Sequence, residues 1–346
     1  PQRSPGRRTA KKEEIMQQVK EKLKNIPGLI WGVLVIILVF IFFAKGFTKY
    51  QNILNILSNT AILLIISCGM TMAILSKEID ISIGGVMSFA GLGGALFITR
   101  FENPGIPAII LTFAIGTGIG LCFGLFNGVL IGKYKYNYWL ITFATMSIGY
   151  GAAQVINGGN VVSGFPKAFR NVADSKFLGI PTVVWVALVI VLIMLFITYK
   201  TRFGMHIYAV GDSEQCASQS GINVKKTRIL IYMLAGMLSG FGGVLLVAKT
   251  NSAGPVAASG YEWNAIAATI IGGTSFEGGK GGLAGTIIGA LVMSMIINGL
   301  QLMGFSNYWQ QVYKGAFILL IIVVDVISRR KKKKAALRRV YKYDEC

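Results

Sequence analysis

Uncharged, apolar runs of roughly twenty residues recur along most of this chain, and each is long enough to cross a bilayer as a helix at 1.5 Å per residue. Nine such runs and one short one, Glu262–Gly273, predict ten spans: Gly28–Ala44, Asn52–Leu75, Ile79–Thr99, Ile106–Ile131, Tyr138–Ile156, Pro181–Tyr199, Ile229–Ala248, Glu262–Gly273, Leu283–Met303 and Tyr308–Ile327. One run alone fits a buried helix of a large soluble core; many in one chain do not. The predicted fold class is all-α, a polytopic membrane protein of about ten transmembrane helices. A basic segment (1–27) precedes the membrane domain (28–327), and a basic tail (328–346) follows it. No cleavage pattern follows the first run, which reads as a retained span.

Charge sharpens the picture. Only 14% of residues are charged and 53% are hydrophobic, against about 25% charged in soluble domains. A net charge of +20 would suggest nucleic acid in a soluble protein. Here the Lys and Arg flank apolar runs, where they report topology and contact with anionic lipid, so no nucleic-acid partner is expected. With the N-terminus inside, the inner segments (1–27, 76–79, 133–137, 200–228, 274–282 and 328–346) hold 26 of the 34 basic residues. Both termini are therefore predicted to be cytoplasmic. Segment 157–180 then faces out. Segment 200–228 faces in and is the one internal inner loop large enough to hold its own helix. The tail from Arg329 to Lys334 reads as a membrane-surface anchor.

Catalysis finds little support. His206 is the only histidine and is expected in a loop; Cys68, Cys122, Cys216 and Cys346 have neither metal nor disulfide spacing. They read as small packing residues, with no metal site and no catalytic set. Gly132-Lys133 and Gly279-Lys280 lack the neighbours of a phosphate-binding loop, so ATP and Mg would have to be handled by another subunit.

Three features carry mechanism. Gly116, Gly120, Gly124, Gly128 and Gly132 recur at four-residue intervals, one ridge along a helix face that lets backbones approach closely; Gly236 with Gly240, and Gly285 with Gly289, repeat the device. Two segments, Ser76–Gly85 and Ile271–Gly282, interrupt the helical pattern near spans three and eight. Irregular backbone at membrane depth survives only against protein or a water-filled cavity, and the two breaks fall at corresponding places in two five-span halves, the pattern of an inverted repeat. Read more plainly, they are two Gly-rich turns. Polar residues within or beside spans mark a candidate translocation path: Asp80, Ser82, Asn127, Gln154, Glu262, Asn264, Asn298 and Gln301. Trp139 and Trp309 read as interfacial belt residues, and Asp325 as a partner of the tail. No row of buried acids or bases is evident, as an ion-driven carrier would tend to need.

Several blocks then become familiar. Gly211-Asp212-Ser213-Glu214 through Ser220-Gly221-Ile222-Asn223-Val224 resembles the cytoplasmic motif of ABC importer permeases, more narrowly the ribose/galactoside/xylose-type sugar permeases. Gly69-Met70-Thr71 with Ile79-Asp80-Ile81-Ser82-Ile83-Gly84 is similar to a second family motif. Tyr261-Glu262-Trp263-Asn264-Ala265-Ile266-Ala267-Ala268, followed by Gly272-Gly273-Thr274-Ser275 and Gly278-Gly279-Lys280-Gly281, is similar to a third. The likeness covers about Asn52 to Asp325.

That resemblance implies a type II ABC importer-like permease in a bacterial plasma (inner) membrane. Its partners would be a second permease copy, identical or homologous, an ABC ATPase that binds ATP and Mg, and an extracellular or periplasmic sugar-binding protein. It also implies a coupling helix at Ser213–Asn223 that meets the ATPase, with Gly211, Glu214, Ala217, Ser218, Gly221, Ile222 and Asn223 as its residues. Gln215 and Cys216 depart from the family's small residues there. The implied cargo is a monosaccharide resembling ribose, galactose or xylose, carried by alternating access. A permease for nucleosides or another small polar solute, an ion-coupled secondary carrier, and a non-transporting scaffold or receptor are the alternatives.

Overall fold

The computed structural model describes residues 38–306 and, beyond them, 308, 309, 312, 313, 315, 316, 319 and 323. The N-terminal segment, most of the first predicted span, the greater part of the tenth, Asp325 and the basic tail lie outside the described residues. Helical residues 38–43 lead into α1 (Tyr50–Leu75), α2 (Ile83–Ile98) and α3 (Ile106–Gly128), which runs on through a π-helical turn at Val129–Lys133. After α4 (Tyr138–Ile156) come β1 (Val162–Ser163), α5 (Lys167–Asp174), β2 (Lys176–Phe177) and β3 (Ile180–Pro181). Then follow α6 (Thr182–Lys200), α7 (Arg202–Asp212), α8 (Glu214–Gln219), α9 (Val224–Thr250), β4 (Ser252–Ala253), α10 (Tyr261–Ile271) and α11 (Leu283–Leu302).

Local chemistry fixes several boundaries. The side chains of Asn137, Thr201, Ser213 and Asn223 each accept a backbone N–H at the start of α4, α7, α8 and α9, the usual N-cap arrangement. Pro107 sits in the first turn of α3, where its missing N–H costs nothing. Asn251 closes α9 in the left-handed region at φ 52°.

Among the described residues, six helices are long and apolar enough to cross a membrane: Tyr50–Leu75, Ile106–Lys133, Tyr138–Ile156, Thr182–Lys200, Val224–Thr250 and Leu283–Leu302. The chain is thus a polytopic helical membrane protein. The count of about ten full spans is not met among the described residues. The third and eighth runs form helices of 16 and 11 residues, about 24 Å and 16 Å long against a hydrocarbon core of about 30 Å. Hydropathy recognised these segments as apolar but not that each starts part-way through the bundle.

Helices α1 and α9 are the most enclosed of the long helices, whereas α3, α4 and α6 bury less than a third of their length, as a lipid-facing ring does. The packing of the two halves corresponds. Helix α2 lies on α3 and α9, and α10 lies on α11 and α1; α3 packs on α9 as α11 packs on α1. The glycine ridge explains the α3–α9 contact. Gly116, Gly120, Gly124 and Gly128 meet the backbones of Gly240, Gly236, Tyr232 and Ile229 in turn, so the helices run antiparallel at a separation no Cβ would permit. Gly285 and Gly289 do the same for α11 against Gly272 and Ala268 of α10.

Two smaller expectations are corrected. His206 lies on α7, not in a loop, because capping by Thr201 makes the segment after α6 helical. Among the described cysteines, Cys122 and Cys216 are exposed and Cys68 is buried packing; Cys346 lies outside the described residues. Segment 157–180 contains α5 and the start of a short β2–β3 hairpin, and β1 pairs with β4 across the chain.

Candidate functional site

The break between α1 and α2 is an ordered link. The Leu75 carbonyl that ends α1 accepts the Gly279 N–H at 2.9 Å, and Gly211 packs directly on the same carbonyl. Lys77, in the left-handed region at φ 66°, donates from Nζ to the Asp212 carbonyl at 2.8 Å. Both Gly-rich breaks therefore meet the end of α7 at one knot. Beyond it, Asp80 Oδ1 accepts the Ser82 N–H at 2.9 Å and the Ser82 hydroxyl at 2.5 Å. Asn127 Nδ2 donates to Ser82 Oγ at 3.0 Å, and Thr145 Oγ1 donates to Asn127 Oδ1 at 2.7 Å. All four side chains are buried. The network fastens the start of α2 to α3 and α4, with a carboxylate at the helix N-terminus, where the dipole favours it.

A second polar cluster lies deeper. The first residues of α2 and of α10 converge, and Gly84 lies beneath the Glu262 carboxylate, the Tyr150 hydroxyl and the Ala258 carbonyl, with no room for a Cβ. Glu262 Oε1 accepts the Gly260 N–H at 3.1 Å, and the Ala258 N–H donates to Ser88 Oγ at 3.1 Å. Three buried atoms here have no hydrogen-bond partner: Glu262 Oε2, Tyr150 OH and Asn264 Oδ1. Buried polar atoms left without a partner are costly, so a cluster of them needs a functional account. The far end of α10, at Gly272, packs against Gly285 at the start of α11, which sets Glu262 one α10 length, about 16 Å, in from the α8 end of the bundle. On the opposite side, a cavity of about 440 Å³ opens toward the α5 end. Gln154, Gly159, Val161 and the 254–257 turn are among its walls. Gln154 is one helical turn beyond Tyr150 on α4, so cavity and cluster share one helix face.

The α8 end carries a linked set of charges. Arg228, in the second turn of α9, places Nε 2.6 Å from Glu78 Oε1 and Nη2 3.0 Å from Glu214 Oε2. Lys135 Nζ is 3.5 Å from Glu214 Oε1. Burial pushes the Glu78 carboxyl up to about 7, against the opposing pull of Arg228 and the Tyr232 hydroxyl that faces it. Ala217 is buried in a small cluster with Val210 and Val224, with Ile222 against it. Gly221, at φ 81°, turns the chain after α8, and its N–H donates to the Ser218 carbonyl at 3.0 Å. Gln215, Cys216, Ser218, Gln219, Gly221 and Asn223 are exposed.

The predicted path residues thus separate. Asp80, Ser82 and Asn127 share one network; Glu262 and Asn264 belong to the deeper cluster; Gln154 lines the cavity. Asn298 is not among them: it exchanges two 2.9 Å amide bonds with Asn52 and locks α11 to α1. Gln301 is exposed near the end of α11. Sequence reasoning passed over Tyr150, Glu78 and Arg228. Tyr150 sits four residues before Gln154, and Glu78 lay within the interrupted segment. Arg228 was counted only as a topology charge. The expectation that acids are not gathered inside also needs amending. Glu78, Asp80 and Glu262 are all buried; Glu78 is paired with Arg228 and Asp80 is bonded to Ser82, while Glu78 and Glu262 each keep one oxygen without a hydrogen bond.

Comparison with known proteins gives a consistent picture. The family model "Branched-chain amino acid transport system / permease component" matches residues 52–324. The ribose import permease protein of Escherichia coli K12 is 36% identical over 91% of this chain and 95% of its own length. That of Bacillus subtilis 168 is 35% identical over 84% and 90%. The D-allose transport system permease protein of E. coli K12 is 34% identical over 79% and 82%. No solved structure gives a significant match.

Proposed function

The chain belongs to the branched-chain amino acid transport system / permease component family, and from that premise we propose that it is the transmembrane subunit of an ATP-driven importer carrying a monosaccharide inward by alternating access. Three of its relatives are named for ribose or D-allose, which favours an aldose as cargo. In this reading the α8 end is cytoplasmic, both termini lie there, and the membrane is a bacterial inner membrane. Helix α8 is the coupling helix, a separate ATPase binds ATP and Mg, a second permease copy completes the passage, and a binding protein delivers sugar to the α5 end. The corresponding packing of α1–α3 and α9–α11 supports an inverted repeat of five spans.

One observation carries the reading. The end of α7 is seated on the two irregular segments that lead to the mid-depth cluster of Glu262, Tyr150 and Asn264, and α8, which follows it, reaches the first of them through Arg228. A force applied to α8 therefore reaches the start of α2 through bonded groups, without crossing a lipid-facing surface. At the cluster, Glu262 Oε2 and Asn264 Oδ1 offer acceptors and the Tyr150 hydroxyl a donor. That set suits a polyhydroxyl solute, and helix N-termini buried at mid-membrane are a recurrent way to build such a site. Energy enters as ATP binding that differs between access states.

The test is uptake into vesicles by the permease alone and by the permease with its ATPase and binding protein. ATP-dependent uptake of D-ribose or D-allose by the full complex only is the expected result. Gradient-driven uptake by the lone chain, indifferent to ATP, would replace the reading with an ion-coupled carrier, for which the buried Glu262 is the natural proton site.

A further inference from the structure

Arg228 holds two carboxylates that belong to different moving parts. Glu214 opens α8, on the proposed coupling helix, and Glu78 lies in the link to α2. The guanidinium has five donors in a rigid fork, so it can hold both at once where a lysine would act as a single point charge. The clamp is largely withdrawn from solvent, with the Arg228 and Glu78 side chains 14% and 4% exposed; Glu214, at 42%, is its open end. Gly132 of the π-helical turn lies against the Arg228 Cβ, and Tyr232, one turn along α9, faces Glu78 from beneath. The stem is thus packed while the fork reaches two ways. From Glu78 the backbone runs two residues to Asp80, whose carboxylate holds Ser82, whose hydroxyl accepts from Asn127. The next residues, Ile83 and Gly84, open α2 under Glu262 and Tyr150.

We propose that Arg228 is a positioning residue that sets the start of α2 according to the position of α8, so that the solute-facing cluster follows the coupling helix. This inference rests on the importer reading above. Neither Arg228 nor Glu78 touches the solute, and neither is needed for the ATPase to bind, because the exposed face of α8 is formed by Gln215, Ser218 and Gln219. Loss of the clamp removes the side-chain link from α8 to the start of α2 and leaves the contacts of Gly211 and Asp212 with Leu75 and Lys77.

Removing Arg228 alone strands a buried carboxylate, so the deciding variant is the neutral pair Glu78→Gln with Arg228→Gln, compared with Glu214→Gln. Permease, ATPase and binding protein are reconstituted together, and uptake of radiolabelled D-ribose or D-allose is measured beside ATP hydrolysis. The neutral pair should assemble and hydrolyse ATP, while solute moved per ATP falls about tenfold, within the usual range for coupling between sites. Glu214→Gln should fall similarly, and Arg228→Lys should recover only part. Normal stoichiometry in the neutral pair refutes the relay and leaves the importer reading standing. Failure of the pair to assemble also refutes it, since the charges then serve folding. No ATP-dependent uptake by the unaltered complex overturns the importer reading and the relay with it.

Discussion

Gly118 and Gly120 lie two residues apart on α3, and substituting each by alanine should have opposite effects. A Cβ at Gly118 meets nothing within 4 Å, whereas one at Gly120 meets the carbonyl carbon of Gly236 and the amide of Gly240 at 2.9 Å, with the Gly236 oxygen closer still. All three are backbone atoms, so no rotamer relieves the clash, and α3 must part from α9. A gap of about 1 Å forfeits up to half of each contact's dispersion energy, and about twenty atom pairs at 0.1–0.2 kcal/mol then lose about 1–2 kcal/mol. That agrees with the cost of about 1–3 kcal/mol for overpacking. Alanine returns at most about 1 kcal/mol at either site through helix propensity. Gly120→Ala should therefore be destabilising by about 1 kcal/mol net or slightly more, while Gly118→Ala should be neutral or mildly stabilising. The buried thiol of Cys68 reports unfolding once Cys122, Cys216 and Cys346 are replaced by serine. Thiol-dye melting in detergent, compared at one scan rate because such unfolding is irreversible, should place the Gly120 variant a few degrees below the parent and the Gly118 variant at or above it. Equal shifts in one direction would refute the ridge argument.

Three further outcomes are expected. Asn52→Ala and Asn298→Ala should each cost about 1–3 kcal/mol by stranding the other amide, whereas the double replacement by leucine should cost less than the two losses together, measured by the same melting assay. Glu262→Gln should leave the melting point unchanged or raised, because it removes a half-satisfied buried carboxylate, yet cut sugar uptake by about tenfold or more if about 1.4 kcal/mol of solute binding is lost; normal uptake would exclude Glu262 from the path. Glu78, at about 7 in the folded protein against 4.5 ordinarily, binds more protons folded than unfolded between those values. Its contribution to stability is therefore complete below pH 4.5 and is lost as pH rises toward 7. Tryptophan-fluorescence melting should show that downward trend across the window, flattened in Glu78→Gln.

The helical class, most span positions and the glycine ridge were legible because they depend on hydropathy and on a four-residue repeat, both local to one segment. Tyr138–Ile156 was placed to the residue. The same signals could not show that α2 and α10 begin inside the bundle, since an apolar half-helix and an apolar full helix differ only in what their ends touch. Asn298 looked like a path residue for the same reason: a lone amide in an apolar run gives no hint of its partner 246 positions away. Arg228 was hidden by its neighbours. Lying beside Lys225 and Lys226, it read as part of a basic boundary, and only the fold turns it inward to Glu78.

The two half-helices use one device to different ends. Each begins within the bundle, where its first N–H groups have no water to bind, and each has a carboxylate at that point. At α2, Asp80 Oδ1 holds the Ser82 N–H and hydroxyl, and Asn127 and Thr145 extend the bonds into α3 and α4. At α10, Glu262 spends Oε1 on Gly260 and keeps Oε2 unbonded beside Tyr150. A purely structural cap has every reason to be tied into neighbouring helices as Asp80 is, because a buried polar atom without a partner is costly. In the importer reading proposed above, the α2 cap is therefore the part tied toward α8, and the α10 cap is the part that would meet a solute. If a solute supplies the missing partner only in passing, the site binds weakly when empty states are favoured, which is what a conduit needs and a receptor does not.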